Sequence, residues 1–280
     1  MYNATRSWSF ALVSADYRLA PQAGIEEMLD DVQDCIGFIR DPAGLAATLP
    51  KGTVDINRLA VSSTADGGYL ALLAGIYVYP KPQAVLAISP ITDPLGSSFR
   101  TSRTWDKLDR KGLSTTDAQA ALKPLLDRNG QVVSNSEDMP DRKLMFKYML
   151  ARGNLAELLH LDTTNTPPGD FKNKTWRIAK QIRDRGLPPT FIFHGEEDDQ
   201  VVVAQSDEVI GALRGVLGHD KFEWWVQYER VPDLTQGCDD VDIDYDSDED
   251  SLDSDASDDP DHLLAAKFMH TMYNFFHSFV

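Results

Sequence analysis

The chain has 280 residues, 42% of them hydrophobic, which suits one sizeable α/β domain or two small ones. Its net charge is −17, but thirteen acids and no Lys or Arg lie between Asp239 and Asp261, and the remainder carries only −4. That balance leaves no basic excess to neutralise phosphates, which excludes nucleic acid as a partner, and no apolar run approaches the ~20 residues that span a bilayer.

The N-terminal residues lack the pattern of a secretory signal. Phe10–Ala15 (FALVSA) reads as a buried strand and runs into Asp16-Tyr17-Arg18-Leu19-Ala20-Pro21. Over 24–40, Ile25, Met28, Leu29, Val32, Ile36 and Ile39 recur at helical spacing, and Asp41-Pro42 stops the helix. A second strand covers 58–62 (RLAVS) and a helix of small and apolar residues covers 67–77; a third strand, 84–89 (AVLAIS), ends at Pro90. Such alternation of continuous apolar strands with helices predicts a parallel sheet covered on both faces. Residues 99–185 break the rhythm: they are polar, helix-prone and studded with Trp105, Met145, Phe146, Tyr148, Met149 and Trp176, as expected of a helical cap inserted into a core formed by 1–98 and 186–280. The sheet resumes at 189–195 (PTFIFHG). A helix over 206–217, a strand over 222–231 (FEWWVQYERV) and a closing helix over 262–279 follow. Cys35 and Cys238 stand far apart without metal or redox spacing and read as free thiols of a reducing, cytoplasmic compartment.

With DYRLAP after a strand, a turn before Gly67-Gly68-Tyr69-Leu70-Ala71, PTFIFHGEEDD and a C-terminal helix, the sequence resembles the α/β-hydrolases. The resemblance is greatest to the hormone-sensitive-lipase-like carboxylesterases (α/β-hydrolase fold-3) of fungal type. It spans roughly 8–238 and the last helix. It implies a mostly parallel sheet with helices on both faces and a helical cap. The usual first strands are expected to be missing, because only fifteen residues precede Asp16.

The resemblance also implies a site. The family sets its nucleophilic serine in a G-x-S-x-G elbow on a strained strand-to-helix turn. Aligned on Gly67-Gly68, that motif reads Ser63-Thr64-Ala65-Asp66-Gly67, so Ala65 stands at the nucleophile and Ser63 at the first glycine. A methyl group cannot attack a carbonyl, and Ser62, Ser63 and Thr64 sit off the turn's central position. The pattern H-G-x-x-D falls on His194-Gly195-Glu196-Glu197-Asp198, which gives Asp198 the acid position. The family histidine aligns with Gln236 in Val231-Pro232-Asp233-Leu234-Thr235-Gln236-Gly237, and glutamine cannot take a proton near neutral pH. His262, at the start of the last helix, is the nearest understudy. One oxyanion donor would come from the backbone of Asp66, beside Gly67; the other belongs to an upstream H-G-G-G loop with no counterpart here. No metal or cofactor is implied.

Residues 239–261 read as a solvated, disordered insertion. Their D-x-D-x-D spacing lacks the glycine a calcium loop needs, and Ser247, Ser251, Ser254 and Ser257 precede acids in the manner of acidophilic kinase sites. Three readings stay open. The first is a carboxylesterase-like enzyme acting on a small acyl, ester or lactone-like molecule of secondary metabolism. The second is a non-catalytic pseudohydrolase that binds such a molecule or a protein. The third is a cyclase or lyase drawing its acids and bases from Asp66, Glu197 and Asp198. Deleting 239–261 should shift the melting temperature by no more than a few degrees, because a solvated loop buries little and a shorter loop costs less closure entropy. Calorimetry of the deletion variant checks this.

Overall fold

Runs of apolar residues with few breaks become buried strands when both sheet faces are covered. The computed structural model describes residues 9–104, 115–134, 143–161, 176–232, 234 and 260–279. Within them β1 (Ala60–Thr64), β2 (Ala84–Ile88), β3 (Thr190–Gly195) and β4 (Val226–Val231) pair in the order β1-β2-β3-β4, all parallel. Strands β2 and β3 are buried from end to end.

Alternate side chains divide between two cores, as the period of two requires. Val85, Ala87 and Ile192 enter the larger core. There they meet α1 (Ile25–Arg40), α2 (Ala65–Tyr77), α7 (Ile178–Arg185) and α8 (Ala204–Trp225). Leu86, Ile88, Phe191 and Phe193 point the other way, onto Met272 and Phe275 of the last helix, α9 (Pro260–Phe279). Between β2 and β3 the chain forms α3 (Ser97–Arg100), α4 (Thr115–Leu122), α5 (Lys143–Arg152), α6 (Leu155–Leu158) and α7.

Local chemistry explains the element ends. At the start of α1 the Gly24 N–H donates to the Glu27 carboxylate at 2.5 Å. Arg18 grips Asp31 of the same helix through two nitrogens, at 2.9 Å and 2.8 Å, which fastens the DYRLAP segment to α1. Helix α2 has no polar stripe; ten of its residues are buried. Gly75 is required within it, because a Cβ there would come within 2.8 Å of Val85 and 2.9 Å of Leu187.

Two expectations fail. Phe10–Ala15 forms no strand: among the described residues no strand lies beside it, Leu12 and Val13 are 50% and 42% exposed, and Phe10 packs edge-on against Phe276. Phe222–Trp225 is helical rather than the start of β4. The backbone breaks at Gly218 (φ +71) and re-enters a helix, which the Lys221–Trp225 contact supports one turn apart.

Leu72 is completely buried against the sheet. Leu72→Ala should cost about 2–5 kcal/mol in chemical denaturation, the usual cost of a core cavity. A loss below about 1 kcal/mol would mean that α2 does not pack as described.

Candidate functional site

Parallel strands all end on the same edge of the sheet, so the turns that follow them converge there. The turn after β1 is the tightest. Ala65 follows Thr64 directly and opens α2 with φ +45, a left-handed backbone that an L side chain rarely adopts. Its carbonyl accepts the Ile91 N–H at 3.2 Å. The glycines after it are held by close approach. A Cβ on Gly68 would lie 3.2 Å from Pro90, and one on Gly67 would meet the Ser63 hydroxyl at 2.1 Å. The Ser63 side chain therefore covers Gly67 rather than facing a substrate. Ser62 is exposed and Thr64 half-buried, and both lie on the strand, before the left-handed residue.

Asp66 follows Ala65 at the first turn of α2. The residue is exposed. Sequence reasoning missed Tyr17 as its neighbour. The Tyr17 hydroxyl lies 3.6 Å from where a Gly67 Cβ would be, and burial and the Asp66 charge both raise its pKa. The signal was in DYRLAP, where only the motif as a whole stood out.

Two strands over, roughly 10 Å from the elbow at sheet spacing, β3 ends in Gly195 and turns through Asp198. Asp198 is only 4% exposed. Its Oδ1 accepts the N–H groups of Gln200 at 2.9 Å and Val201 at 2.8 Å. Its Oδ2 has no hydrogen-bond partner among the described residues. Beneath it His194 is fully buried: Nε2–H donates to the Val201 carbonyl at 2.7 Å, and Nδ1 accepts the Ser206 hydroxyl at 2.7 Å. Both ring nitrogens are thus used, and the 3.6 Å from Nε2 to Asp198 Oδ2 is too long for a hydrogen bond. Burial lowers the His194 pKa and raises that of Asp198, so both are driven toward their neutral forms.

The chain returns to this turn after β4. The Glu196 N–H donates to Val231 and the Glu197 N–H to Leu234. A Cβ on Gly195 would strike the Leu234 carbonyl at 2.2 Å, so only glycine admits this approach. Gln236, two residues beyond Leu234, lies outside the described residues, as do residues 239–259 of the acidic segment. The backbone of His262 is in α9, and its side chain is not described. Among the described residues no three His, Cys, Asp or Glu side chains gather as metal ligands, and no helix is long and apolar enough to cross a membrane.

No family model matches the chain. It is similar in structure to a Staphylococcus aureus protein of unknown function, with a TM-score of 0.56 and 15% identity over 94% of this chain and 76% of that one. It is also similar to carboxyl esterase 2 of the fungus Tuber melanosporum, with a TM-score of 0.55 and 16% identity, over all of this chain and 71% of the esterase. The fold is that of the α/β-hydrolases. In sequence, 244 residues are 25% identical to the non-reducing polyketide synthase pkbA of Emericella nidulans, covering 73% of this chain. Another 243-residue alignment is 26% identical to the synthase mapC' of Penicillium brevicompactum. The chain spans about a tenth of the length of these relatives.

The buried Asp198 carboxyl sets a pH test. Its folded pKa lies above its unfolded value of about 4, so the stability it contributes is present below that value and is lost as pH rises through the folded pKa. Asp198→Asn should therefore melt no lower than wild type at pH 7, with the difference vanishing near pH 3. A variant clearly less stable at pH 7 would show that Oδ2 has a donor that needs the charge.

Proposed function

We propose that this chain is a hydrolase-fold protein of fungal secondary metabolism that holds a small acyl, ester or lactone-like molecule at the ends of its strands without hydrolysing it. One observation carries the reading: the residue held at φ +45 in the strand-to-helix turn is Ala65, which has no hydroxyl to offer. A serine there would present its Oγ at the top of the sheet; alanine keeps the backbone strain and loses the nucleophile. The alignment adds Gln236 in place of a base. Loss of one member of such a triad costs a factor of about 10⁴–10⁶ in rate. The resemblance of part of the chain to polyketide synthases supports a ligand with the acyl chemistry of that metabolism.

In this reading Asp198 is a vestige of the acid that would orient a histidine. Its buried carboxyl and open Oδ2 support that role. A second reading rests on Asp66. An exposed carboxyl beside Tyr17, whose own pKa burial and the Asp66 charge push up, is suited to moving a proton, as a cyclisation or elimination without a covalent intermediate requires. Asp66→Asn would abolish turnover of that kind and leave simple binding in place.

The purified chain should hydrolyse p-nitrophenyl butyrate no faster than a denatured control and take up no serine-trapping phosphonate. Ala65→Ser or Gln236→His alone should change nothing measurable, because the triad acts as a unit. Together they should yield slow hydrolysis and a phosphonate adduct on position 65. A missing oxyanion donor would hold that rate down by about 10²–10³. Turnover by the unmodified chain with an adduct on Ser62, Ser63 or Thr64 would overturn the proposal.

A further inference from the structure

The segment leaving the core after β2 is stitched to the end of helix α5. The Arg103 N–H donates to the Leu150 carbonyl at 3.2 Å, and the Ser102 hydroxyl donates to the Arg152 carbonyl at 3.2 Å. Gly153, at φ +64, comes so close that a Cβ would lie 2.8 Å from the Arg100 carbonyl carbon and 3.0 Å from the Ser102 nitrogen. From this footing the Arg103 guanidinium reaches across to the acid turn. One nitrogen donates to the Asp199 carbonyl; the other donates to Ser98 at 3.2 Å and to Gln200 at 3.4 Å.

Those two carbonyls of the turn bear directly on Asp198. A peptide unit is planar, and in the trans form its C=O and N–H point in opposite directions. The Asp199 carbonyl shares its plane with the Gln200 N–H, and the Gln200 carbonyl shares its plane with the Val201 N–H. Those N–H groups are the two donors to Asp198 Oδ1. Two peptide planes therefore lie between a guanidinium on one side and a carboxylate on the other. Fixing the carbonyls fixes the direction of the N–H groups, and a cation on a carbonyl polarises the amide and strengthens its donor.

We propose that Arg103 is a positioning residue for Asp198, and that through these two shared planes it couples the seating of the inserted helices to the carboxyl at the site. The role given to Asp198 rests on the functional reading above; the coupling itself does not. Lysine could hold one carbonyl as a point charge but lacks the fork that spans both.

The test uses the full chain, without ligand or turnover, and reads amide hydrogen exchange together with the carboxyl titration of Asp198 by carbon-13 resonance. In Arg103→Gln, exchange at Gln200 and Val201 should rise at least tenfold, with Phe191 and Ile192 of β3 unchanged. The Asp198 titration should move to higher pH, because the N–H donors that lower its pKa are loosened. Among the described residues the other charges facing Asp198 are His194 on β3 and Asp199 in the turn, with Asp207 of α8 and Arg230 of β4 acting on His194; none of them is altered. Arg103→Lys should fall between wild type and Arg103→Gln in both readouts. Gly153→Ala, which pushes from the helix side with Arg103 intact, should speed the same two amides. A folded Arg103→Gln variant with unchanged exchange at Gln200 and Val201 overturns the proposal. If that variant does not fold, unchanged exchange in Arg103→Lys overturns it equally. A Gly153→Ala effect that stops at residues 100–103 and 149–153 would overturn the coupling to the helices. A failure of any of these leaves the reading of Ala65 standing, and hydrolysis by the unmodified chain would leave the coupling standing.

Discussion

The left-handed turn at Ala65 is the constraint around which the site is arranged. A strand and a helix meet there with no intervening loop, so one residue must reverse the chain, and its φ of +45 is the cost. The surroundings keep it there. Ile91 hydrogen-bonds its carbonyl, Pro90 closes over Gly68, and Ser63 fills the space above Gly67. Helix α2, buried on every side, cannot shift to relax the turn. Strain of this kind persists only where packing over-determines it, and it concentrates at sites where a side chain must be presented. Here the residue held in that backbone conformation is alanine, whose side chain is a methyl group.

The second feature of the site is an imbalance in hydrogen bonding. Asp198 Oδ1 has two backbone donors and Oδ2 has none among the described residues, in a place where water scarcely reaches. A buried oxygen without a donor is a net cost to folding, on the order of 1–3 kcal/mol. His194, directly beneath, does nothing to relieve it, because Val201 and Ser206 occupy its two nitrogens. The histidine supports the turn from below by holding the Val201 carbonyl, while Arg103 holds the neighbouring carbonyls from the side of the inserted helices.

The inserted segment is anchored at its return as firmly as at its departure. Ile178 donates its N–H to Thr92 at 2.9 Å, and Tyr69 of α2 donates its hydroxyl to the Trp176 carbonyl at 2.5 Å. Arg177 bridges Asp93, after β2, to Glu208 on α8. Gln205 accepts the N–H groups of Thr92 and Asp93 through one oxygen, at 2.9 and 2.8 Å. The chain on either side of the helices between β2 and β3 is therefore tied into the core at the strand ends.

Much of this was decided by the sequence alone. The apolar runs at 84–89 and 189–195 read as buried strands, and the spacing of Ile25, Met28, Leu29, Val32, Ile36 and Ile39 as one face of a helix, because periodicity is a local property of the chain. That Ala65 has no nucleophilic atom is likewise true in any conformation. Other features depended on neighbours remote in sequence. Phe10–Ala15 has a strand's composition, but a strand exists only when another backbone pairs with it. Phe222–Trp225 has a strand's residues, but it lies in a helical turn after Gly218 in which Lys221 stands over Trp225. Tyr17 came to the elbow because Arg18 and Asp31 fastened its segment to α1, a contact thirteen residues apart. Only the tertiary structure gave Asp198 Oδ1 its two backbone donors and put Arg103 behind the planes that hold it, because hydrogen bonds are assigned by where the folded backbone points and not by which residues are present.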